Sequence, residues 1–231
     1  FRSLLVGGYK AFRRWGRSLF AVEPKIIVLA GMTGSGKTDI LAALAALGEQ
    51  VLDLEALASH RGSSYGGLGL PPQPTNEHFW NLIAMEWAGF DRDRRLWIEA
   101  ENKQIGVCRV PEEIFRQMER SPAIEIVRSR EERLGAIVDI YGKSDVNEIV
   151  AATERLRKRL GGVRATEAVG FLREGNLTAA FDLVLYYYDK AYSYYLEKRQ
   201  ASVCRLDVSG RSALEAAKLL LDRLTVNNWV G

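Results

Sequence analysis

Gly31-Met32-Thr33-Gly34-Ser35-Gly36-Lys37-Thr38 sets glycines, a lysine and a hydroxyl residue in the spacing G-x-x-x-x-G-K-[ST]. Residues of these types in this spacing hold phosphate. Gly31, Gly34 and Gly36 let the backbone turn tightly and approach an anion with no Cβ in the way. Successive N–H groups, those of Ser35 and Gly36 among them, then face one concavity at the positive end of the helix that starts near Lys37. A diphosphate fits such a cradle. Lys37 adds a mobile cation, and the Thr38 hydroxyl is placed to ligate Mg²⁺. The plainer alternative, a Gly-rich turn before an ordinary helix, sits poorly with the apolar strand-like run Ile26-Ile27-Val28-Leu29 just upstream.

Carboxylates come next in the chemistry. Asp53 and Glu55 close a second apolar run, Gln50–Leu54, and in open α/β sheets ligands bind at the carboxyl ends of the strands. These two acids and the loop His60-Arg61-Gly62-Ser63-Ser64-Tyr65-Gly66-Gly67 are therefore expected to face the phosphate loop, with Asp53, Arg61, Ser63 and Ser64 as site residues. A surface loop with Asp53 as a helix cap is the competing reading. A third strand, Arg95–Glu101, ends in Glu99 and Glu101. Alternation puts both on one side of an extended chain, a Walker-B-like position that suits a Mg²⁺ shell or a general base, though strand-end acids with a purely structural role are also frequent. After a fourth strand at Ala123–Val127, Arg128, Arg130 and Arg133 resemble the lid of nucleotide kinases, which closes over polyphosphate; pairing with Glu131 and Glu132 is the alternative.

The elements that must position these groups are legible in outline. Helical patterns follow the phosphate loop, run from Thr75 to about Gly89 and from Pro111 to Arg120, and dominate Ser144–Arg199; a fifth strand at Ala201–Val208 and a helix from Ser212 to Leu224 close the chain. The fold class is α/β, a P-loop NTPase-like sandwich with a mainly parallel five-stranded sheet and a helical C-terminal part. Residues 1–22 stand apart by pattern: Tyr9, Phe12, Trp15 and Leu19 recur at helical spacing and Pro24 separates them from the first strand. Residues 23–231 form the P-loop domain, of which 143–200 are largely helical.

The chain has 231 residues, 47% of them apolar, and a formal charge of +3, which permits a nucleic-acid partner without demanding one. Arg13, Arg14 and Arg17 lie in an N-terminal stretch without acids, and a segment of six tyrosines that includes Tyr192 has Lys190 within it and Lys198 and Arg199 just after it. Rings among cations suit RNA, with Arg13, Arg14, Arg17, Lys190, Tyr192 and Arg199 as its contacts, while an aromatic stripe at helical spacing also reads as core. No apolar run reaches the roughly 18 residues of a membrane span, so a cytoplasmic protein without a membrane partner is expected. Cys108 and Cys204, with only His60 and His78 for company, lack metal-ligand spacing and read as reduced core thiols.

Taken together, GMTGSGKT, VLDLEALASHRGSSYGGLG, LWIEAENKQIG and the YYDKAY segment resemble the C-terminal domain of bacterial tRNA 2-selenouridine synthase, and GGYKAFRRW resembles the last piece of that family's rhodanese domain. The resemblance implies replacement of the 2-sulfur of a wobble thiouridine by selenium from selenophosphate, through an S-geranylated intermediate made from geranyl diphosphate. It implies tRNA as partner, a rhodanese domain in cis or in trans, and Lys37, Asp53, Arg61, Glu99 and Glu101 as catalytic residues. Residues 34 to 38, Ser63, Ser64, Arg128 and Arg133 would then hold the diphosphate. The family's catalytic cysteine lies in the rhodanese domain, so neither Cys108 nor Cys204 inherits that role, and Asn102 stands where a hydroxyl residue is expected. Two other functions compete: an ATP-dependent small-molecule kinase of the adenylate-kinase type, and a non-catalytic RNA-binding module.

Overall fold

A computed structural model describes residues 6–199 and 201–226. Helix α1 (Gly8–Phe20) leads into β1 (Lys25–Ala30), whose run of apolar residues is buried on both faces, as parallel strands are. Next come α2 (Lys37–Ala46), β2 (Gln50–Leu52), the short α3 (Leu54–Ala58), α4 (Asn76–Ala88) and β3 (Arg95–Glu99). Two-residue strands β4 (Gln104–Ile105) and β5 (Cys108–Arg109) make a hairpin that periodicity is too short to reveal. Then follow α5 (Glu112–Arg120), β6 (Ala123–Val127), α6 (Arg130–Tyr141), α7 (Val146–Arg155), α8 (Arg157–Leu160), α9 (Gly162–Arg173), α10 (Leu177–Glu197), β7 (Val203–Asp207) and α11 (Ala213–Val226).

The five long strands form one parallel sheet in the order β2-β3-β1-β6-β7. The expected α/β class and five-stranded parallel sheet are what the structure has. Alternate residues of β1 divide the core: Ile26 and Val28 pack with Phe20, Phe79, Ile83 and Met118, while Ile27 and Leu29 pack with Leu41, Leu44, Leu220 and Leu224 of α2 and α11. A third core joins α6, α7, α9 and α10 through Tyr141, Ile149, Leu172 and Phe181. Tyr65, from the loop after α3, plugs into that helical core.

Helix α1 is docked, not solvated. Phe20 is buried in the sheet's core, the Gln117 side chain donates to its carbonyl at 2.7 Å, and Gly16 lets α1 close on Ala84 of α4. Its aromatic row is the less covered face, with Tyr9 50% and Trp15 41% exposed.

Candidate phosphate and carboxylate site

The phosphate loop leaves β1 at Ala30 and enters α2 with Gly36 at the N-cap position. Gly34 has φ +81°, and a Cβ there would stand 2.5 Å from the Arg133 carbonyl. That glycine is required by the protein's own backbone as well as by any ligand. Gly31 packs against Ser35 Oγ and Ile126, and the Ser35 hydroxyl, buried, has no hydrogen-bond partner among the described residues. Thr38 is exposed in the first turn of α2.

Register brings the carboxylates to this loop. Leu29 of β1 lies opposite Glu99 of β3, and the Ala100 N–H continues the ladder to the Leu29 carbonyl at 2.8 Å. Glu99, 1% exposed, therefore sits beside the base of the phosphate loop. The Lys37 ammonium folds back over it, donating to the Gly31 carbonyl at 3.0 Å and lying 3.5 Å from Glu99 Oε1. Glu101 and Glu55 complete the cluster: one oxygen from each of Glu55, Glu99 and Glu101 lies within 4.8 Å of the other two.

Three carboxylates so close and so buried cannot all carry charge cheaply. Burial, then the charge of Glu101, raises Glu55 to about 8. Burial raises Glu99 to about 8 against the pull of Lys37, with Glu55 adding to the rise. Burial and then Glu99 raise Glu101 to about 8. Lys37 is pushed the other way from a lone buried lysine: burial works to lower its pKa, but Glu99, Glu101 and Glu55 together raise it. The site is thus one ammonium on a part-protonated trio, a store of protons and of anionic oxygen ligands beside a backbone anion cradle.

Several expected site residues have other work. The second strand ends at Leu52, and the Asp53 carboxylate accepts the Ala56 N–H at 2.8 Å as the N-cap of α3, so Glu55 and not Asp53 reaches the cluster. Arg61 donates to the Leu68 carbonyl and lies 6.0 Å from the Tyr141 ring centre. Ser63 and Ser64 fasten the same loop to the helical part: Ser63 Oγ meets the Tyr141 hydroxyl at 3.3 Å, the Ser64 N–H donates to the Tyr188 hydroxyl, and Ser64 Oγ donates to the Ala152 carbonyl. These serines, expected at the diphosphate, brace the loop. Where a hydroxyl residue was expected stands Asn102, whose backbone N–H works to lower the Glu101 pKa against burial.

The lid-like arginines are braces as well. Arg133, 5% exposed, makes a fork to Asp189 at 2.7 and 2.8 Å and a bond to the Thr33 carbonyl. Arg128 donates to the carbonyls of Ser35 and Arg211 and pairs with Glu132, and Arg130 pairs with Asp182. Arg128 also borders the anion cradle, its guanidinium under 4 Å from where a Gly36 Cβ would be. Asp189, within the tyrosine-rich helix, is the partner that sequence reasoning missed; a lone acid among aromatics carries no sign of a partner 56 positions away.

The proposed RNA contacts are spread out. Arg13 is paired with Glu77, Arg17 lies over the Trp80 ring, and Arg199 donates to the carbonyls of Met118 and Ser121 at 2.7 and 2.6 Å, anchoring the end of α10 on α5. The Tyr192 hydroxyl is buried without a partner among the described residues. Arg14 and Lys190 are exposed. Phe20 and Arg199 end helices that lead into β1 and β7, so they lie at the amino-terminal edge of the sheet, opposite the phosphate loop. Cys108 is buried, with Gln73 donating to its sulfur at 3.7 Å, and burial raises its pKa, which disfavours the thiolate.

A five-stranded parallel sheet with G-x-x-x-x-G-K-T after its central strand and carboxylates after the neighbouring one defines a P-loop α/β protein. The family described as the tRNA 2-selenouridine synthase AAA domain matches residues 24–217, and the chain belongs to it. Among curated relatives it is similar to the tRNA 2-selenouridine synthases of Marinobacter nauticus, 32% identical over 87% of this chain and 62% of that protein, and of Hydrogenovibrio crunogenus, 32% identical over 89% and 64%. The chain thus spans less than two thirds of the length of these relatives. The solved structure of TT1252 from Thermus thermophilus aligns with 91% of this chain and all of its own at 15% identity and a TM-score of 0.45, a likeness too loose to bear on function. No helix among the described residues is long and apolar enough to cross a membrane.

Proposed function

We propose that this chain is the diphosphate-binding part of a tRNA-modifying transferase, one that replaces the 2-sulfur of wobble 2-thiouridine with selenium by way of an S-geranylated intermediate. The observation that carries the reading is the family match across the very residues that build the site, 24–217. The geometry suits the chemistry. Amides of residues 34 to 38 and the Lys37 ammonium would hold the diphosphate of geranyl diphosphate, and neutralising it makes it a better leaving group as sulfur attacks the geranyl carbon. The C–O bond breaks as the C–S bond forms, diphosphate departs, and the proton lost by the thiouridine passes to solvent or to a carboxylate of the trio. Selenophosphate would occupy the same anion cradle in the second step. A rhodanese domain, in cis or in trans, would complete the enzyme, and tRNA would approach over exposed cations such as Arg14 and Lys190.

The reading favours transfer over the kinase alternative because Arg128, Arg130 and Arg133 are engaged with protein groups and do not form a free lid. Incubating the chain with 2-thiouridine tRNA and geranyl diphosphate, and weighing the digested nucleosides by mass spectrometry, tests it. Addition of one geranyl group is the expected result. Lys37→Ala should lower that rate by about 100-fold or more, the scale of losing one preorganised charge at a reacting centre, while the circular dichroism spectrum stays unchanged. Transfer to a small acceptor from ATP, with no isoprenoid on the tRNA, would support the kinase instead.

A further inference from the structure

We propose that Glu55, Glu99 and Glu101 form a divalent-cation site that fills when an anionic ligand draws Lys37 off it. The three offer one oxygen each within 4.8 Å of one another, separations that fit a single ion with oxygen ligands at about 2.0–2.6 Å. An all-carboxylate donor set selects a hard cation of the Mg²⁺ or Mn²⁺ kind. Two further observations point to a ligand. Glu99 is 1% exposed, and its Oε2 has no donor among the described residues, an acceptor left open where burial should have supplied a partner. Gly62, at φ +61°, keeps the space over the cluster clear: a Cβ there would stand 2.6 Å from Glu55 Oε1 and 2.7 Å from Glu101 Oε2.

Lys37 is the present counter-charge. Its ammonium is held by the Gly31 carbonyl at 3.0 Å and by Glu99 Oε1 at 3.5 Å, both groups of the protein. To meet a phosphate it must loosen its hold on Glu99, and the trio then loses the one cation paired with it among the described residues. A divalent ion replaces that charge and in turn repels the ammonium toward the phosphate. Anion and metal therefore bind with positive linkage, each lowering the other's dissociation constant by the same factor. The proposal rests on the anion-binding half of the function above and not on the identity of the transferred group.

The test uses Mn²⁺ alone, followed by loss of the free-ion signal in electron paramagnetic resonance on the metal-free chain. Wild type should bind weakly, Lys37→Met should bind at least 10-fold more tightly with no anion present, and adding Glu55→Gln to Lys37→Met should remove that gain. Lys37→Gln serves the same purpose if Lys37→Met fails to fold. With inorganic pyrophosphate added to wild type, Mn²⁺ affinity should rise beyond that of pyrophosphate for the ion alone. Unchanged or weaker Mn²⁺ binding in both lysine variants overturns the proposal, and so does a ternary complex that Thr38→Ala abolishes and Glu55→Gln spares. No tRNA or isoprenoid enters these titrations, so their failure is distinguishable from failure of the transferase reading.

Discussion

Strand β3 begins beside a part-buried carboxylate and ends in a buried one, and the two are of opposite kind. At its start Glu49 receives a fork from Arg95, at 2.6 and 2.8 Å, and a third bond from the Trp97 indole at 3.0 Å. The Arg95 hydrogen bond leads the effects that hold the Glu49 carboxyl below its ordinary range. At the end of the same strand, among the described residues, Glu99 has one paired cation, Lys37 at 3.5 Å, an oxygen with no partner, and a pKa pushed up to about 8. The sheet's two edges differ in kind as well. At the amino-terminal edge Arg199 and Gln117 close helix ends on backbone carbonyls, though Arg199 Nε and Gln117 Oε1 have no partner among the described residues. At the carboxyl-terminal edge the open atoms, Glu99 Oε2 and Ser35 Oγ, lie beside the phosphate loop, and one of them belongs to a carboxylate. Stability is invested where charges are matched, and binding capacity is kept where they are not.

Between the two stand braces, and their removal should have the largest effect on the fold. Arg133 ties Thr33 of the phosphate loop to Asp189 of the helical part from a site only 5% exposed. Arg133→Ala leaves Asp189 with Arg130 alone, at 3.4 Å, and Thr33 without its tether, and should destabilise the chain by about 3 kcal/mol in urea unfolding. A loss under about 1 kcal/mol would mean that the helical part and the phosphate loop are held together elsewhere. Glu49→Gln should come next, at about 1–2 kcal/mol near pH 7, because one charge-assisted fork is weakened while its shape remains. Since folding depresses the Glu49 pKa, this contribution is present above the usual carboxylate range and fades as pH falls through the depressed value. Melting curves at pH 7 and pH 3.5 check it: a pH-independent difference would show that packing, not charge, holds the start of β3.

Much of this arrangement is readable from the residues alone, and the failures share a cause. The parallel strands are near-continuous apolar runs such as Ile26–Leu29, and the phosphate loop is contiguous, so local pattern suffices for both. Asp53 misleads because it follows the strand's last residue, Leu52, directly as the cap of α3, and that choice decides which acid faces the site. Arg133 and Asp189, or Ser64 and Tyr188, are paired by tertiary packing across 56 and 124 positions, which no local pattern encodes. The aromatic row of α1 has helical spacing, yet the residues that bury are Gly16 and Phe20, since contact with Ala84 needs a small residue and not a ring.

The smallest predicted effect has the opposite sign, and for that reason tests the contrast most directly. Burial and neighbouring carboxylates lift Glu55, Glu99 and Glu101 to about 8, against an ordinary value of 4.5 in the unfolded chain. An acid whose pKa rises on folding stabilises the fold fully below its unfolded value and loses that contribution as pH climbs toward its folded one. The wild-type chain, free of metal, should therefore lose stability between about pH 4.5 and pH 8 at this end of β3. Glu55→Gln keeps the side-chain shape, cannot ionise, and relieves Glu101 of its neighbour's charge. It should be more stable than wild type at pH 8 by on the order of 1 kcal/mol, the worth of roughly one pKa unit, with the gain shrinking toward zero at pH 5. Urea unfolding of both chains with a chelator at pH 5, 6.5 and 8 measures it. If the two stability profiles run parallel, water reaches the carboxylates, their charges are screened, and the two ends of β3 do not differ in the way proposed.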